Sequence, residues 1–450
     1  MSTTVDCTGA TTASASCPLA PFLASGGIPP GKGGVTTYPD QATAAYNTSA
    51  DLPVNTKYPK ALTWNLSVQH SFGHDYTVEI RYLGTRGYFL PVQTRLNAAA
   101  QVTPTLYLPT YTTAPSQAAL NALPYNLNGI ENGAYGNGDG LVPAWENAGF
   151  YGAYITSYQP EGASTYHGLA VQVNKRLSHG LQLIGSYTFS HDIDNSTAEV
   201  FSTVLAPRRP QNFQDQAAER ANSILDHRHR LTLGLVYNLP YFKQGNWLER
   251  NVLGNWEFDP VYVFQSGQWV TAQSADDANL NGDQWSDRTI WNASGVRGTG
   301  TGVSPLCSTL PTGTNSATGE PWTCTDPNAG PYQVAYLANN PNAQYIRAGY
   351  GALANVGRNT MQLPPINNID VAAGKTIAFS ERYKVTFMVQ AINLFNHPQW
   401  IGGSLNDIAP IGYTGSQRSM LEPQSSLFNT PSAVFSSNPR YLQLTLKVAF

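Results

Sequence analysis

Charge is scarce in this 450-residue chain. Lys, Arg, Asp and Glu together make up 12% of it, against roughly 25% in an ordinary soluble domain. The formal net charge is -3, so the chain lacks the basic excess that nucleic-acid binding needs, and no nucleic-acid partner is expected. Long apolar runs are missing as well. No stretch reaches the ~18 residues of a membrane-spanning helix. The opening MSTTVDCTGATTASASC has neither the basic start nor the apolar core of a secretion signal, which leads us to expect that the chain is not a complete export precursor. Cysteine occurs four times, as two local pairs, Cys7 with Cys17 and Cys307 with Cys324. Without a Cys-x-x-Cys spacing a zinc site is disfavoured. Two loop disulfides, Cys7–Cys17 and Cys307–Cys324, in an oxidising compartment are the preferred reading, and free thiols the alternative. Gly-x-Ser-x-Gly, His-Glu-x-x-His and phosphate-binding Gly loops are all absent, so no catalytic residue and no enzymatic activity are expected.

What is abundant is Asn, Gln, Ser, Thr, Gly, Pro and Tyr, with 40 Gly, 31 Pro and 25 Tyr. Two-residue periodicity runs through this background, the mark of strands with one apolar and one polar face. TWNLSVQHSF sets Trp64, Leu66, Val68 and Phe72 against Asn65, Ser67 and Gln69. YTVEIRYLG, HGLAVQVNKRL, LQLIGSYTFSH, HRLTLGLVYNLP, NWEFDPVYVFQSG, INNIDVAAGKTIAF and YKVTFMVQAINLFN repeat the pattern. The final RYLQLTLKVAF is the cleanest case: Leu442, Leu444, Leu446, Val448 and Phe450 alternate with Gln443, Thr445 and Lys447 behind Tyr441. That makes about nine strands, each near the ~9–11 residues that cross a bilayer at a tilt. The polar faces carry few charges, among them Glu79, Arg81, Gln172, Arg176, Glu257 and Asp259 as polar groups expected to face a wet lumen. Aromatics expected toward strand ends (Phe72, Tyr76, Tyr82, Phe189, Tyr237, Trp256 and Phe264) suit an interfacial girdle.

The connections carry more. GHD, SHG, SER and the middle-sized YFKQGNWLERNVLG alternate with long segments at 87–166, 191–229, 268–365 and 397–439. A soluble sandwich has no reason to place every long loop at one end. An outer-membrane barrel has short periplasmic turns and long extracellular loops. The fold class is therefore all-β: an antiparallel transmembrane β-barrel segment of about 9–10 strands, with residues 1–60 an irregular extracellular segment and 61–450 the barrel part. The last strand ends on the turn side, and an odd number of strands starts the first on the loop side. The expectation is a C-terminal piece of a larger barrel. One helix is expected in a long loop, QDQAAERANSIL at 214–225.

Two motifs invite chemistry. In DANLNGDQWSDR, Asp277, Asn279, Asn281 and Asp283 alternate around Gly282, like the start of a calcium loop. The twelfth position, which needs a bidentate Glu, holds Arg288. A solvated Asn/Asp/Gly loop is the preferred reading, and calcium, the sole cofactor weighed, is the alternative. DHRHR, Asp226 to Arg230, offers a metal cluster or a His–Asp pair, but a structural role at a strand mouth is favoured. Tyr- and Trp-bearing loops such as TLYLPTYTT suit either ligand stacking or loop packing.

Several stretches taken together resemble one family, the TonB-dependent outer-membrane receptors of the Oar-like type. They are YPKALTWNLSVQHSFGHDYTVEIRYLGTRGYFL, STYHGLAVQVNKRLSHGLQLIGSYTFSHDID, DHRHRLTLGLVYNLPY, and GRNTMQLPPINNIDVAAGKTIAFSERYKVTFMVQAINLFNHPQW with the terminal Phe450. The resemblance implies a 22-stranded barrel with an internal plug, energised through TonB and moving large, scarce solutes. The plug, the TonB-contacting segment and the earlier strands have no counterpart in this sequence. TonB is thus expected as a partner only through that portion. The outer-membrane lipid, the barrel insertion machinery reading the terminal aromatic strand, and an unknown extracellular solute complete the expected partners. The expected location is the bacterial outer membrane. A passive porin or adhesin barrel, or a gene fragment without function, are the alternative readings.

Overall fold

The computed structural model describes residues 40–51, 53, 56–132, 140–197, 209–242, 245–380, 382–400, 419–435 and 437–450. Cys7 and Cys17 lie outside the described residues. The chain divides into two compact units, Met1–Asn47 and Thr48–Phe450. The described part of the first is a short helix, α1 (Gln41–Tyr46), whose Thr43 N–H donates to the Asp40 carboxylate at 3.0 Å, an N-cap. Residues 48–51 group with the second unit. Backbone pairing explains this: Ala50–Asp51 lies parallel to Thr156–Ser157, and Thr156 N–H donates to the Ser49 carbonyl at 3.0 Å.

The second unit is built on one sheet with nine long strands: β1 (Lys60–Phe72), β2 (Tyr76–Arg95), β3 (Thr156–Ser178), β4 (Leu181–Asp194), β5 (His229–Asn238), β6 (Trp256–Gln265), β7 (Ile366–Ala378), β8 (Lys384–Ile392) and β9 (Tyr441–Ala449). Each pairs antiparallel with its neighbour in sequence, an up-and-down meander with β1 and β9 at the edges. Short and long connections alternate along it. The tightest turn, between β3 and β4, is His179–Gly180, with φ of 51° and 80°. Positive φ at both central residues is what a type I′ hairpin turn requires. All four long connections leave from the opposite end of the sheet.

The register joins the apolar residues into one continuous face. Leu66 faces Tyr82, Tyr82 faces Leu169, and Leu169 faces Phe189. Leu233 faces Tyr262 and Tyr262 faces Ile369, while Val389 faces Leu444 and Phe387 faces Leu446. These side chains are exposed: Leu66 is 69% accessible and Leu444 68%. Lys175 and Lys375 are charged residues on this face. Both stand at its turn end and extend their amines to turn carbonyls, Lys175 to Leu181 at 2.8 Å and Lys375 to Val252 at 3.1 Å. On the apolar face Gly84 lies under the Trp64 ring, whose atoms stand 2.3–2.5 Å from where a Cβ would be. Phe72, Tyr76, Tyr237 and Trp256 border the face at the turn end, and Phe189 and Phe264 toward the loop end. Tyr82 is not at a strand end, because β2 runs on to Arg95. It is level with Phe189 through their common neighbour Leu169.

The packed core is not in the sheet. Buried apolar residues gather in the long connections. Val270, Ala272, Tyr345, Val356, Met361, Leu363, Met420, Leu421 and Phe435 form one cluster from the β6–β7 and β8–β9 connections. Val102, Leu108, Ile130, Ala278, Leu280 and Tyr336 form a second with the β2–β3 connection. Small sheets brace them: Val303–Cys307 pairs with Gln333–Ala338, which pairs with Thr110–Tyr111. A disulfide joins Cys307 to Cys324. The helix expected at 214–225 is not formed. Only Gln216–Glu219 turns, as a 3-10 helix capped by Asp215. Ala221–Asn222 then extends to pair with Ile193–Asp194, so the sheet rim takes the backbone groups a helix would use.

Candidate functional site in the loop assembly

The segment that resembles a calcium loop folds inward and uses its own side chains to do so. The Asp277 carboxylate accepts the N–H groups of Asn281 (3.0 Å) and Gly282 (2.8 Å), which closes a tight turn with φ of 77° at Gly282. The Asn281 side-chain oxygen accepts Asp283 N–H at 2.8 Å. The amides of Asn279 and Asn281 both donate to the Gln211 carbonyl, at 2.6 and 3.0 Å. Asp283 is gripped by Arg209 through two bonds, from Nε and from Nη2 (2.7 Å to Oδ1), and Arg95 donates to the Gly282 carbonyl at 2.6 Å. Both readings of the motif need correction. The loop is not solvated, since Asn281, Asp283 and Asp287 are at most 1% exposed. Nor is it arranged for calcium, because backbone N–H groups and a guanidinium occupy the carboxylate oxygens of Asp277 and Asp283. Among the described residues no group of three or more His, Cys, Asp or Glu side chains converges as a metal site.

This burial divides the acids. Burial raises the Asp283 carboxyl, but the hydrogen bonds and charge of Arg209, with Arg95 behind, outweigh it and hold the group below 3.8. Asp277 is pushed up to about 6, chiefly by burial. Asp287 is driven well above the ordinary range by burial and then by the neighbouring Asp277, which favours its neutral form.

A second charged network joins the loops to the sheet rim. Arg288, in the position where calcium would need Glu, pairs with Glu219 and donates to the Val356 carbonyl at 3.3 Å. Arg358 pairs with Asp194 at the end of β4 and donates to the Glu219 carbonyl at 2.9 Å. Each of these four side chains is less than a tenth exposed. Beside Glu219 and Arg288 lies a cavity of about 350 Å3, lined by Val102, Pro104, Gln211, Asn212, Asp215, Asn279 and 353–357. Apolar walls with a few fixed polar groups at this volume suit a small ligand. Arg209, Glu219, Asp287 and Arg358 were not singled out from the sequence. Their only signal there is that they are charges inside loops of a charge-poor chain.

The remaining residues of interest are dispersed. Asp226 of DHRHR accepts Asp192 N–H at 2.9 Å, Trp269 Nε1 at 3.1 Å and Arg228 Nη2 at 3.2 Å, and His229 is hydrogen-bonded to the Tyr187 hydroxyl at 2.8 Å. These are bonds that fix the mouth of β5. On the polar face of the sheet Glu79 is opposite Gln172 and receives Arg81 Nε at 3.0 Å. Glu257 and Asp259 occupy the same face of β6, opposite Gly374 and Ala372, and Arg176 sits at the turn end of β3. On β9, Leu442, Leu444, Leu446 and Val448 project to the apolar face and Tyr441 to the other, with Phe450 84% exposed beyond the last pair. In TLYLPTYTT, Leu108 is buried at 1% exposure and Tyr111 packs against Leu120, Val334 and Ala335, so this loop is largely used in packing.

The sequence matches the outer membrane beta barrel domain family over residues 1–438. No curated protein matches it. Among solved structures the chain is similar to the outer membrane transporter YddB from Escherichia coli, at 7% identity and a TM-score of 0.34, covering 90% of this chain and 34% of that one. It is similar to the ferric-catecholate import receptor Fiu from E. coli K12, at 10% and 0.34, covering 88% and 28%. It is also similar to BauA, the ferric preacinetobactin receptor from Acinetobacter baumannii, at 9% and 0.35, covering 87% and 29%. The chain spans about a third of the length of these proteins. With a match over residues 1–438, an antiparallel all-β meander and an exposed apolar face, the chain belongs to the outer membrane beta barrel domain family, and its place is the bacterial outer membrane.

Proposed function

We propose that the chain supplies nine strands of the wall of a larger, TonB-dependent-receptor-like barrel of the Oar-like type, and that its loop assembly forms an extracellular vestibule that binds a polar solute before passage. One observation carries this reading: every long connection leaves the same end of the meander, and their described residues pack into buried clusters at that end of a sheet that keeps one apolar face exposed. Under it the apolar face meets lipid, and Glu79, Arg81, Gln172, Arg176, Glu257 and Asp259 line the lumen. The short turns are periplasmic, and β9 ending at Phe450 is the strand the insertion machinery reads. Plug and TonB contact belong to barrel portions outside these nine strands. No catalytic step is assigned, since Asp283, Glu219 and Asp194 are each committed to an arginine.

The two edges give the test. Among the described residues β1 and β9 pair on one side only. Unpaired backbone groups cannot face hydrocarbon, so more strands must complete the wall. Purified full chain reconstituted alone in planar bilayers is expected to give no stable single-channel conductance. A stable, reproducible conductance overturns the reading in favour of a passive pore closed by this chain or by copies of it. Monodisperse protein in detergent-free buffer overturns the membrane-wall reading altogether.

A further inference from the structure

The connection between β5 and β6 differs from the other turns. Residues 246–253 coil into a short helical segment. Asn246 and Glu249 cap it reciprocally: Glu249 N–H donates to the Asn246 side chain at 2.8 Å, and Asn246 N–H to the Glu249 carboxylate at 3.1 Å. Asn251, 5% exposed, clamps the segment to the sheet by accepting Ala378 N–H at 2.7 Å and donating to the Trp247 carbonyl at 3.0 Å. Lys375 fixes the side of the sheet on which it lies. Lys375 pairs across β7–β8 with Phe387 on the apolar face, its amine is 4.9 Å from the Trp256 ring, and it donates to the carbonyls of Val252 and Gly254. The segment therefore lies along the lipid-facing rim. It exposes a cluster of large apolar side chains, with Leu248 62% exposed, Val252 52%, Leu253 49% and Trp247 48%, and Phe379 of the next turn 6.4 Å from the Trp247 ring; Asn246, Glu249 and Arg250 are its exposed polar residues.

We propose that residues 246–253 are an interfacial anchor, which inserts Trp247, Leu248, Val252 and Leu253 into the headgroup boundary of the leaflet at the turn end. The occupant is a phospholipid surface. Lys375 joins the patch to the apolar sheet face, its amine lying between the Trp256 ring and the Val252 carbonyl, and Trp247 with exposed Arg250 is the pairing of an aromatic belt with a headgroup-seeking cation. Naming that leaflet periplasmic rests on the orientation proposed above; the anchor itself rests on the outer-membrane placement of the wall.

Depth measurement tests it. In a background with Cys7→Ser and Cys17→Ser, nitroxides are attached to single Leu248→Cys, Val252→Cys, Arg250→Cys and Leu444→Cys variants of the full chain. The proteins are reconstituted in phosphatidylethanolamine–phosphatidylglycerol vesicles. Accessibility to oxygen and to an aqueous nickel chelate then gives depth. Sites 248 and 252 are expected about 5–10 Å inside the headgroup boundary, with 250 open to the chelate and 444 deepest. If 444 is deep while 248 and 252 are as open to the chelate as 250, the anchor is refuted and the membrane wall stands. If all three turn sites are equally shielded and immobilised, a protein partner covers the turn and the anchor is refuted. If 444 is also aqueous, both fail.

Discussion

Replacing Arg358 by methionine is predicted to loosen the loop assembly while leaving the sheet intact. Arg358 is 3% exposed and reaches four points on other segments: the Asp194 carboxylate, the Asp194 carbonyl at 2.6 Å, the Glu219 carbonyl at 2.9 Å and the Thr197 hydroxyl at 3.4 Å. Methionine keeps most of the volume and removes the charge. Among the described residues the Asp194 carboxylate, 4% exposed, then keeps the Thr197 hydroxyl as a donor at 2.6 Å but no cation to balance its charge. Removing one partner of a buried pair costs about 3–5 kcal/mol, because the other charge is left in a poor solvent. At about 1.4 kcal/mol per tenfold, that multiplies the population of locally opened loop assembly on the order of a hundredfold to several thousandfold. Hydrogen exchange followed by mass spectrometry in detergent reads this directly. Peptides spanning 267–290 and 354–363 are expected to lose protection by that factor, and those within β7 and β8 to keep theirs. Adding Asp194→Asn is expected to recover part of the loss, since it removes the orphaned charge. Unchanged exchange in Arg358→Met refutes the claim that this guanidinium ties the loops to the rim.

Burial places the native Asp277 pKa at about 6, above the ordinary 3.8. The sign follows: its stabilising contribution is complete below pH 3.8 and is lost as pH rises through 6. Loop-assembly protection should therefore fall between pH 4 and 7, and Asp277→Asn should flatten that slope; equal slopes in both proteins refute it. Asp283, held below 3.8, has the opposite dependence and loses its contribution only in more acid solution. Leu444→Arg near the middle of β9 is expected to cost about 2–4 kcal/mol and to lower the heat-modifiable folded fraction on gels. Gln443→Arg on the other face should not, and equal losses from both would contradict the assignment of faces. Cys307→Ser opens a loop with a sequence separation of 17, which is expected to cost about 3 kcal/mol locally. Faster proteolysis within 308–323 is the readout, and an unchanged digestion pattern counts against it.

The sheet was legible in the sequence because one solvent boundary imposes one rule. A strand with lipid on one side must alternate, and Leu442, Leu444, Leu446 and Val448 do so without interruption. The alternation of short and long connections followed from counting between such strands. The loop core was not legible, because irregular chain buries residues without a period. Val270, Met361 and Met420 are far apart in sequence and meet only when the β6–β7 and β8–β9 connections have folded together. The motif at 277–288 misled for a related reason. Alternating Asp and Asn side chains around a glycine serve a metal or a self-hydrogen-bonded turn equally well. Only the positions of Arg209 and Gln211, far away in sequence, decide between them. The segment 214–225 has helical composition, but the rim of β4 needed a backbone partner, and Ala221–Asn222 supplies it.

The result is a protein with its two stabilising forces in separate places. The strands contribute backbone pairing and a surface that only a bilayer can satisfy, with β9 exposed at every residue when lipid is left out. The loops contribute the buried apolar clusters and the arginine–carboxylate pairs, and water on their outer surface is enough for them. Substitutions should therefore sort by location rather than by residue type. A charge introduced on the apolar face is a defect of membrane insertion, and a cavity or orphaned charge among 267–363 is a defect of local opening. Loops and sheet meet at the loop end of β4, where the Asp192 N–H donates to Asp226 and the Asp194 carboxylate pairs with Arg358, each from a different connection. A perturbation there is the one most able to pass from the loops to the wall, and Arg358→Met measures how far it travels: loss of protection confined to the loops means the wall is an independent scaffold, whereas loss extending along β4 and β5 means that loop packing and wall structure are coupled.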